Sequence, residues 1–318
     1  MRLGRHASSS DPGRRRRHNE DAFVVRPPLF AIADGMGGAQ AGEVASRLAT
    51  AALKEGEPDG GGEQRIADLI QEANRRVYDR SSSDPNTSGM GTTITVALVE
   101  DDTVAFGHVG DSRAYLIRDA QMEQLTEDHS LVNELLKTGK LSREEAETHP
   151  QRSVITRALG TDPDVDVDTF SVRAENGDLF LLCSDGLTDM VPEESILDVV
   201  ERNRNDIDGA LRALVKEANR GGGQDNITVV AFEIADGAVP VHDGDTREQA
   251  LPTTEDDDTL TEADGVPVVD TAVVSVAEIQ AEDKAIRWRH RRRRMLAWLA
   301  ILVLVVVVAL LLYLRFVR

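Results

Sequence analysis

Leu29-Phe30-Ala31-Ile32-Ala33-Asp34-Gly35-Met36-Gly37-Gly38 sets an apolar run directly against an acidic, glycine-rich turn. Leu29 to Ala33 reads as a short strand, so Asp34 stands at a strand end. The arrangement recurs. Asp178 to Cys183 is a second strand-like run and leads to Ser184-Asp185-Gly186. Ile227 to Phe232 is a third and follows Gly223-Gln224-Asp225-Asn226. Two further acidic motifs are Asn19-Glu20-Asp21 and Gly110-Asp111-Ser112-Arg113. A lone Asp-Gly is a turn. Five acidic motifs in this order are hard to explain by turns alone. Carboxylates at strand ends beside glycines can converge on one point. An oxygen-only ligand set suits hard cations such as Mg²⁺ or Mn²⁺.

Outward from Asp34, strands are expected at Ala22 to Val25, Thr92 to Val99, Thr103 to His108, Ala114 to Arg118 and Val165 to Val172. Helical spacing marks Glu43 to Lys54, Gln64 to Arg80, Glu193 to Arg202 and Ile207 to Asn219,. Gly60 to Gly62 breaks the first pair of helices,. Glu127 to Pro150 is polar and helical, with Ser142 and Glu145 spaced as a capping box,. Strands with long connections and helices bunched in pairs predict an α+β sandwich. Residues 1–13 are expected to be disordered.

The motifs resemble the metal-dependent type 2C protein phosphatase (PPM) family, in its bacterial serine/threonine branch. The resemblance covers roughly residues 10 to 235 and is carried by A-D-G-M-G-G with A-G-E-V-A-S (Ala41 to Ser46), G-H-V-G-D-S-R-A-Y (Gly107 to Tyr115), T-R-A-L-G (Thr156 to Gly160), S-D-G-L-T-D (Ser184 to Asp189) and Q-D-N-I-T-V (Gln224 to Val229). It implies two packed antiparallel β-sheets flanked by helices, with metals in a cleft at one end. It implies hydrolysis of phosphoserine or phosphothreonine esters on proteins. The expected site holds two Mn²⁺ or Mg²⁺ ions about 3.5 to 4 Å apart and a water between them.

By the same resemblance, Asp34 bridges both cations and Gly35 adds its backbone carbonyl. Asp185 and Asp225 complete the first metal, Glu20 binds the second, and Asp21 holds a metal-bound water. Asp111 matches the ligand of a third, weaker metal in bacterial relatives, and Asn226 supports the site by hydrogen bonding. The phosphate arginine lies four residues before the glutamate, at Arg16. That residue sits within Arg14 to Arg17, so the sequence leaves open which guanidinium serves,. Met36 stands where eukaryotic relatives often carry a histidine, proposed there as general acid. Methionine donates no proton, so the donor is open. His18, His108, His129 and His149 are candidates by residue type alone, and a structural role is expected for each. Glu127 to Pro150 aligns with the flap that borders the cleft in bacterial members.

The chain has 318 residues and a net charge of −20, which disfavours nucleic acid as a partner,. Much of that charge is local: residues 236–283 carry 14 Asp and Glu against one Arg among the arginines and acids. The layout predicts a catalytic domain over 14–235, an acidic flexible linker over 236–286 and a basic juxtamembrane segment over 287–294. Met295 to Leu314 is twenty residues without a charge, long enough as a helix to cross a bilayer core of about 30 Å,. Residues 315–318 are expected to form a short extracytoplasmic tail. Arginines crowd the N-terminal flank, so the catalytic domain is expected in the cytoplasm, on a single-pass, C-terminally anchored protein of the cell membrane. Expected partners are phosphorylated proteins, including Ser/Thr protein kinases and their substrates. The lone cysteine, Cys183, is expected to be a buried, inert thiol,. Three other functions fit the pattern less well: a phosphatase dedicated to a sigma-factor regulator, a catalytically dead phosphoprotein scaffold, and a hydrolase of small phosphoesters.

Overall fold

The computed structural model describes residues 2–56, 61–147, 149–235 and the pair 272–273. Its strands are β1 (Arg2–Asp11), β2 (Ala22–Arg26), β3 (Leu29–Ala33), β4 (Gly35–Met36), β5 (Gly91–Thr92), β6 (Ile94–Glu100), β7 (Thr103–Val109), β8 (Arg113–Arg118), β9 (Gln121–Gln124), β10 (Val154–Ile155), β11 (Asp168–Arg173), β12 (Leu179–Cys183) and β13 (Ile227–Ala235). Its helices are α1 (Gly38–Glu55), α2 (Gly62–Ser83), α3 (Leu131–Lys137), α4 (Arg143–Glu147), α5 (Asp185–Thr188), α6 (Glu193–Arg202) and α7 (Ile207–Gly221). Two five-stranded sheets, in the orders β1-β13-β12-β8-β9 and β11-β7-β6-β3-β2, are antiparallel throughout.

Strand alternation builds four layers. In β3, Phe30 and Ile32 point to the interior between the sheets, where Phe106, Phe180 and Phe232 meet them. Ala31 and Ala33 point the other way, into a cluster with Ala45, Ala49, Ile66 and Ile70 of α1 and α2. In β12, Phe180 and Leu182 face the other sheet while Leu181 and Cys183 face α6 and α7. Both faces of the central strands are therefore covered, which explains their near-continuous apolar runs. The expected α+β sandwich is the fold observed.

Residues 2–11 overturn the expectation of a disordered N-terminus. They form β1, paired with β13 from Arg2↔Ala235 to Asp11↔Ile227 with an irregularity between Leu3 and His6. Arg-Leu-Gly-Arg-His-Ala-Ser-Ser-Ser-Asp has no apolar alternation to announce a strand. The partner supplies what the segment lacks: β13 is rich in β-branched and aromatic residues and offers an edge. Arg5 fastens the pair, donating to Glu233 through Nε (3.0 Å) and Nη2 (3.1 Å). It also reaches the carbonyls of Arg204 (3.1 Å) and Asn205 (2.6 Å).

Smaller corrections concern element limits. The segment expected to be helical from Glu127 to Pro150 forms only α3 and α4, and β9 was not foreseen. The capping box holds: Ser142 N–H donates to Glu145 Oε2 (2.9 Å) and Glu145 N–H to Ser142 Oγ (3.3 Å). Val154–Ile155 pairs in parallel with Ala272–Val273. The linker, apart from that pair, and the segments 287–294, 295–314 and 315–318 lie outside the described residues. Among the described residues no helix is long and apolar enough to cross a membrane.

Candidate active site

Asp34 follows β3 directly, and its backbone is fixed on three sides. Its N–H donates to Thr93 Oγ1 (3.0 Å). Its carbonyl accepts from Thr93 N–H (2.8 Å) and from Thr92 Oγ1 (2.8 Å). Gly35 pairs with Thr92 in the β4–β5 ladder and donates to Glu20 C=O at 3.2 Å. A Cβ on Gly35 would overlap the carbonyls of Gly42 and Glu20, so this close approach requires glycine,.

Asn226 ties the N-terminal loop to the sheet. Its Oδ1 accepts from Glu20 N–H at 2.7 Å. Its Nδ2 donates to the carbonyls of Pro12 (3.0 Å) and His18 (2.9 Å). Ser46 Oγ donates to Glu20 C=O at 2.5 Å. One buried amide thus sets the path of the whole loop that carries Arg16, Glu20 and Asp21. Of the four arginines, Arg14, Arg15 and Arg17 are exposed and Arg16 is half-buried. Arg16 Nη2 donates to Asp225 Oδ2 at 2.9 Å, which places its guanidinium at the acidic cluster.

The carboxylates gather where burial makes ionisation expensive. Asp21 is 3% exposed and accepts from Ser184 Oγ at 2.9 Å. Burial pushes its pKa up to about 7, against hydrogen bonds from Thr228 and Ser184, with Asp225 adding to the rise. Asp111 is likewise pushed up to about 7, first by burial and then by Asp128. Asp34 and Asp185 are raised well above the usual range, first by burial. Next come Asp21, Asp185, Asp225 and Asp111 for Asp34, and Asp111, Asp225, Asp189 and Asp21 for Asp185. Two buried oxygens, Asp21 Oδ1 and Asp185 Oδ1, have no hydrogen-bond partner.

Buried, mutually repelling carboxylates with unpartnered oxygens are what a hard cation would satisfy. The donor set is all oxygen and fits Mn²⁺ or Mg²⁺. The side chains share one neighbourhood without closing into a cage. Among the described residues, no three His, Cys, Asp or Glu stand at metal-holding distances.

Several participants were not foreseen. Asp189 extends the cluster, with its pKa raised by burial, and pairs with Arg152 at 3.2 Å. Arg113 is engaged by Asp128 rather than by Asp111, through Nε (3.0 Å) and Nη2 (2.6 Å). Asn74 holds Gly160 of T-R-A-L-G, accepting its N–H at 2.8 Å from within α2. His108 and His129 are buried and hydrogen-bonded, so neither reaches solvent as a proton donor. Met36 packs with Ile155 and Ala158 in an apolar cluster, which suits a thioether and not an imidazole. Cys183 is buried, and burial pushes its thiol up to about 12, as an inert core cysteine requires,.

The family profile described as Protein phosphatase 2C matches residues 14–217. A serine/threonine phosphatase (stp) of Listeria innocua is 42% identical over 236 residues, covering 70% of this chain and 93% of that protein. The crystal structure of the Mycobacterium tuberculosis serine/threonine phosphatase PstP/Ppp superposes with a TM-score of 0.70 at 39% identity, covering 74% of this chain and 100% of that one. The PstP catalytic domain in complex with 2 manganese ions gives a TM-score of 0.68 at 38% identity, covering 74% and 99%.

Proposed function

This chain belongs to the protein phosphatase 2C family, and from that premise we propose how its own residues carry out the family's reaction. The protein is a metal-dependent serine/threonine phosphatase. The observation that carries the residue-level reading is the buried carboxylate cluster with its two unpartnered oxygens. When bound, two Mn²⁺ or Mg²⁺ ions supply positive charge to the phosphate and a water acidic enough to attack it near neutral pH.

Asp34 and the Gly35 carbonyl, with Asp185, Asp225 and Glu20, would hold the two ions. Asp21, anchored by Ser184, would orient the surrounding solvent. Asp111 would hold a third, weaker ion. Arg16 draws the substrate phosphate to the cluster, and a guanidinium meets phosphate oxygens through two parallel donors. Asn226 keeps Arg16 and Glu20 in place by fixing the loop between them. Met36 gives no proton to the leaving oxygen, so the acid lies elsewhere.

The test is phosphate release from a phosphothreonine peptide by the purified full chain, with Mn²⁺ or with EDTA, beside Asp34→Ala and Asp185→Ala. Release that needs the metal and both aspartates is the expected result. Peptide binding without release, in protein that still binds Mn²⁺, would favour a scaffold instead.

We further propose that Met295–Leu314 anchors the enzyme in the cell membrane, with the catalytic domain on the cytoplasmic side. The uncharged twenty-residue run and its arginine-rich N-terminal flank support this,. A linker of about 50 residues reaches roughly 40 Å, which lets the domain meet phosphorylated segments of membrane kinases. Fractionation of cells expressing the chain with and without residues 295–314 tests it. Recovery of both forms in the soluble fraction would refute the anchor.

A further inference from the structure

We propose that His129 is a positioning residue for Asp111, acting through the backbone of Gly110. The proposal rests on the assignment of Asp111 to the third cation site. His129 holds both polar groups of Gly110. Its ring Nδ1 accepts from Gly110 N–H at 3.0 Å, and its backbone N–H donates to Gly110 C=O at 2.7 Å. Gly110 has φ +116°, and a Cβ there would overlap Thr93, so the turn is shaped for this one residue,. On the other side of Asp111, Thr93 Oγ1 bonds Ser112 Oγ (2.9 Å) and Thr95 Oγ1 donates to Ser112 C=O (3.1 Å). Asp111 therefore projects from a backbone clamped at both neighbours.

The hydrogen bonds define the tautomer. A ring nitrogen that accepts from an amide carries no proton, so the neutral ring bears its hydrogen on Nε2. Nε2 lies 3.1 Å from Asp168 Oδ2 and donates to it. Arg157 Nη1 stands beside both groups, 2.5 Å from Asp168 Oδ1 and 3.1 Å from His129 Nε2, and its charge helps keep the ring neutral, so the tautomer rests on the acceptor role of Nδ1 toward Gly110 N–H. Burial holds the imidazole pKa below its ordinary value, with Arg157 adding to the effect against Asp168. The ring is 6% exposed, which separates it from any substrate.

His129 also marks the point where the two ends of the cleft-bordering segment meet. Its carbonyl accepts from Thr156 N–H at 2.8 Å. The next residue, Ser130, bridges to Ile155 and caps α3 by accepting from Asn133 N–H at 3.3 Å. One residue thus joins both ends of residues 130–155 to the turn that carries Asp111.

Amide side chains separate the two ring nitrogens. In His129→Asn, Oδ1 can replace Nδ1 as acceptor for Gly110, and the donor to Asp168 is lost. In His129→Gln, the terminal amide can replace Nε2–H, and the acceptor at Gly110 is lost. Mn²⁺ binding to the full chain is measured by titration calorimetry for wild type, both variants and Asp111→Asn. The weakest binding step is expected to weaken about 10-fold or more in His129→Gln and Asp111→Asn. The tighter steps stay in place, and His129→Asn keeps the wild-type profile. If Asp111→Asn loses the weak step while His129→Gln keeps it, the positioning role is overturned. Loss of the weak step in folded His129→Asn overturns it as well, and that variant alone carries the test if His129→Gln does not fold. If Asp111→Asn changes no step, the assignment of Asp111 falls, and the proposal with it.

Discussion

Asp185 begins the four-residue helix α5 with one oxygen buried and unpartnered, and Asp34, Asp111, Asp189 and Asp225 surround it. Its charge is a liability until a cation offsets it. Asp185→Asn should therefore raise the stability of EDTA-treated protein at neutral pH, because it removes a buried charge that its neighbours repel,. The same change should abolish phosphopeptide hydrolysis. Urea denaturation beside the activity assay reads both effects, and an unchanged or lower stability would contradict the electrostatic account. Asn226→Ala should act in the opposite sense. It strips Glu20 N–H of its acceptor and frees the carbonyls of Pro12 and His18. Each buried backbone group left unpaired costs about 1–3 kcal/mol, so the loss should exceed 2 kcal/mol or so, with weaker phosphopeptide binding as the Arg16 loop loosens. A thermal midpoint equal to wild type would show that the loop does not depend on this amide.

Among the elements, β1 is the one whose loss should be most informative. It covers the edge of β13, and its backbone bonds are long-range. Deletion of residues 2–11 should expose that edge, lower solubility and destabilise the domain severely. Arg5→Ala should cost only up to about 1 kcal/mol, because the ion pair with Glu233 is partly exposed,. Size-exclusion chromatography and melting curves distinguish these outcomes; a deletion variant that melts like wild type would mean β1 is dispensable. The same strand shows where sequence reading stops. The apolar runs of β3, β12 and β13 are legible because burial on both faces leaves its mark in residue type. The site aspartates are legible because strand ends and glycines recur beside them. A serine-rich segment that pairs only because its partner is a strong strand former leaves no local mark. Neither does Asn74, whose reason is Gly160 on a distant segment, nor His129, whose two ring nitrogens acquire roles only after the fold brings Gly110 and Asp168 to them. The family spacing points to Arg16, but the residue types of Arg14 to Arg17 do not separate it from its neighbours; its burial and its bond to Asp225 do.

For the whole molecule, the carboxylate cluster couples stability to pH and to metal. Asp21 and Asp111 ionise near 7 in the folded state and near 3.8 when unfolded. Below about 3.8 their contribution is fully present, and it is lost as pH rises through 7. EDTA-treated protein should therefore melt lower at pH 7.5 than at pH 5.5. His108, held down to about 3 by burial, opposes this trend between its ordinary 6.5 and 3. Mn²⁺ should remove the loss at the higher pH and raise the midpoint further with concentration, the unfolding free energy growing by about 2.7 kcal/mol at a hundredfold excess over its Kd. A chelated midpoint that rises from pH 5.5 to 7.5 would contradict the cluster electrostatics.

The most direct measurement is a crystal structure of the full chain with Mn²⁺, located by anomalous scattering. Two strong peaks are expected beside Asp34, with Asp185 and Asp225 on one and Glu20 on the other, and a weaker third peak at Asp111. Manganese found away from Asp34, or bound there without Asp185 and Asp225, would contradict this assignment.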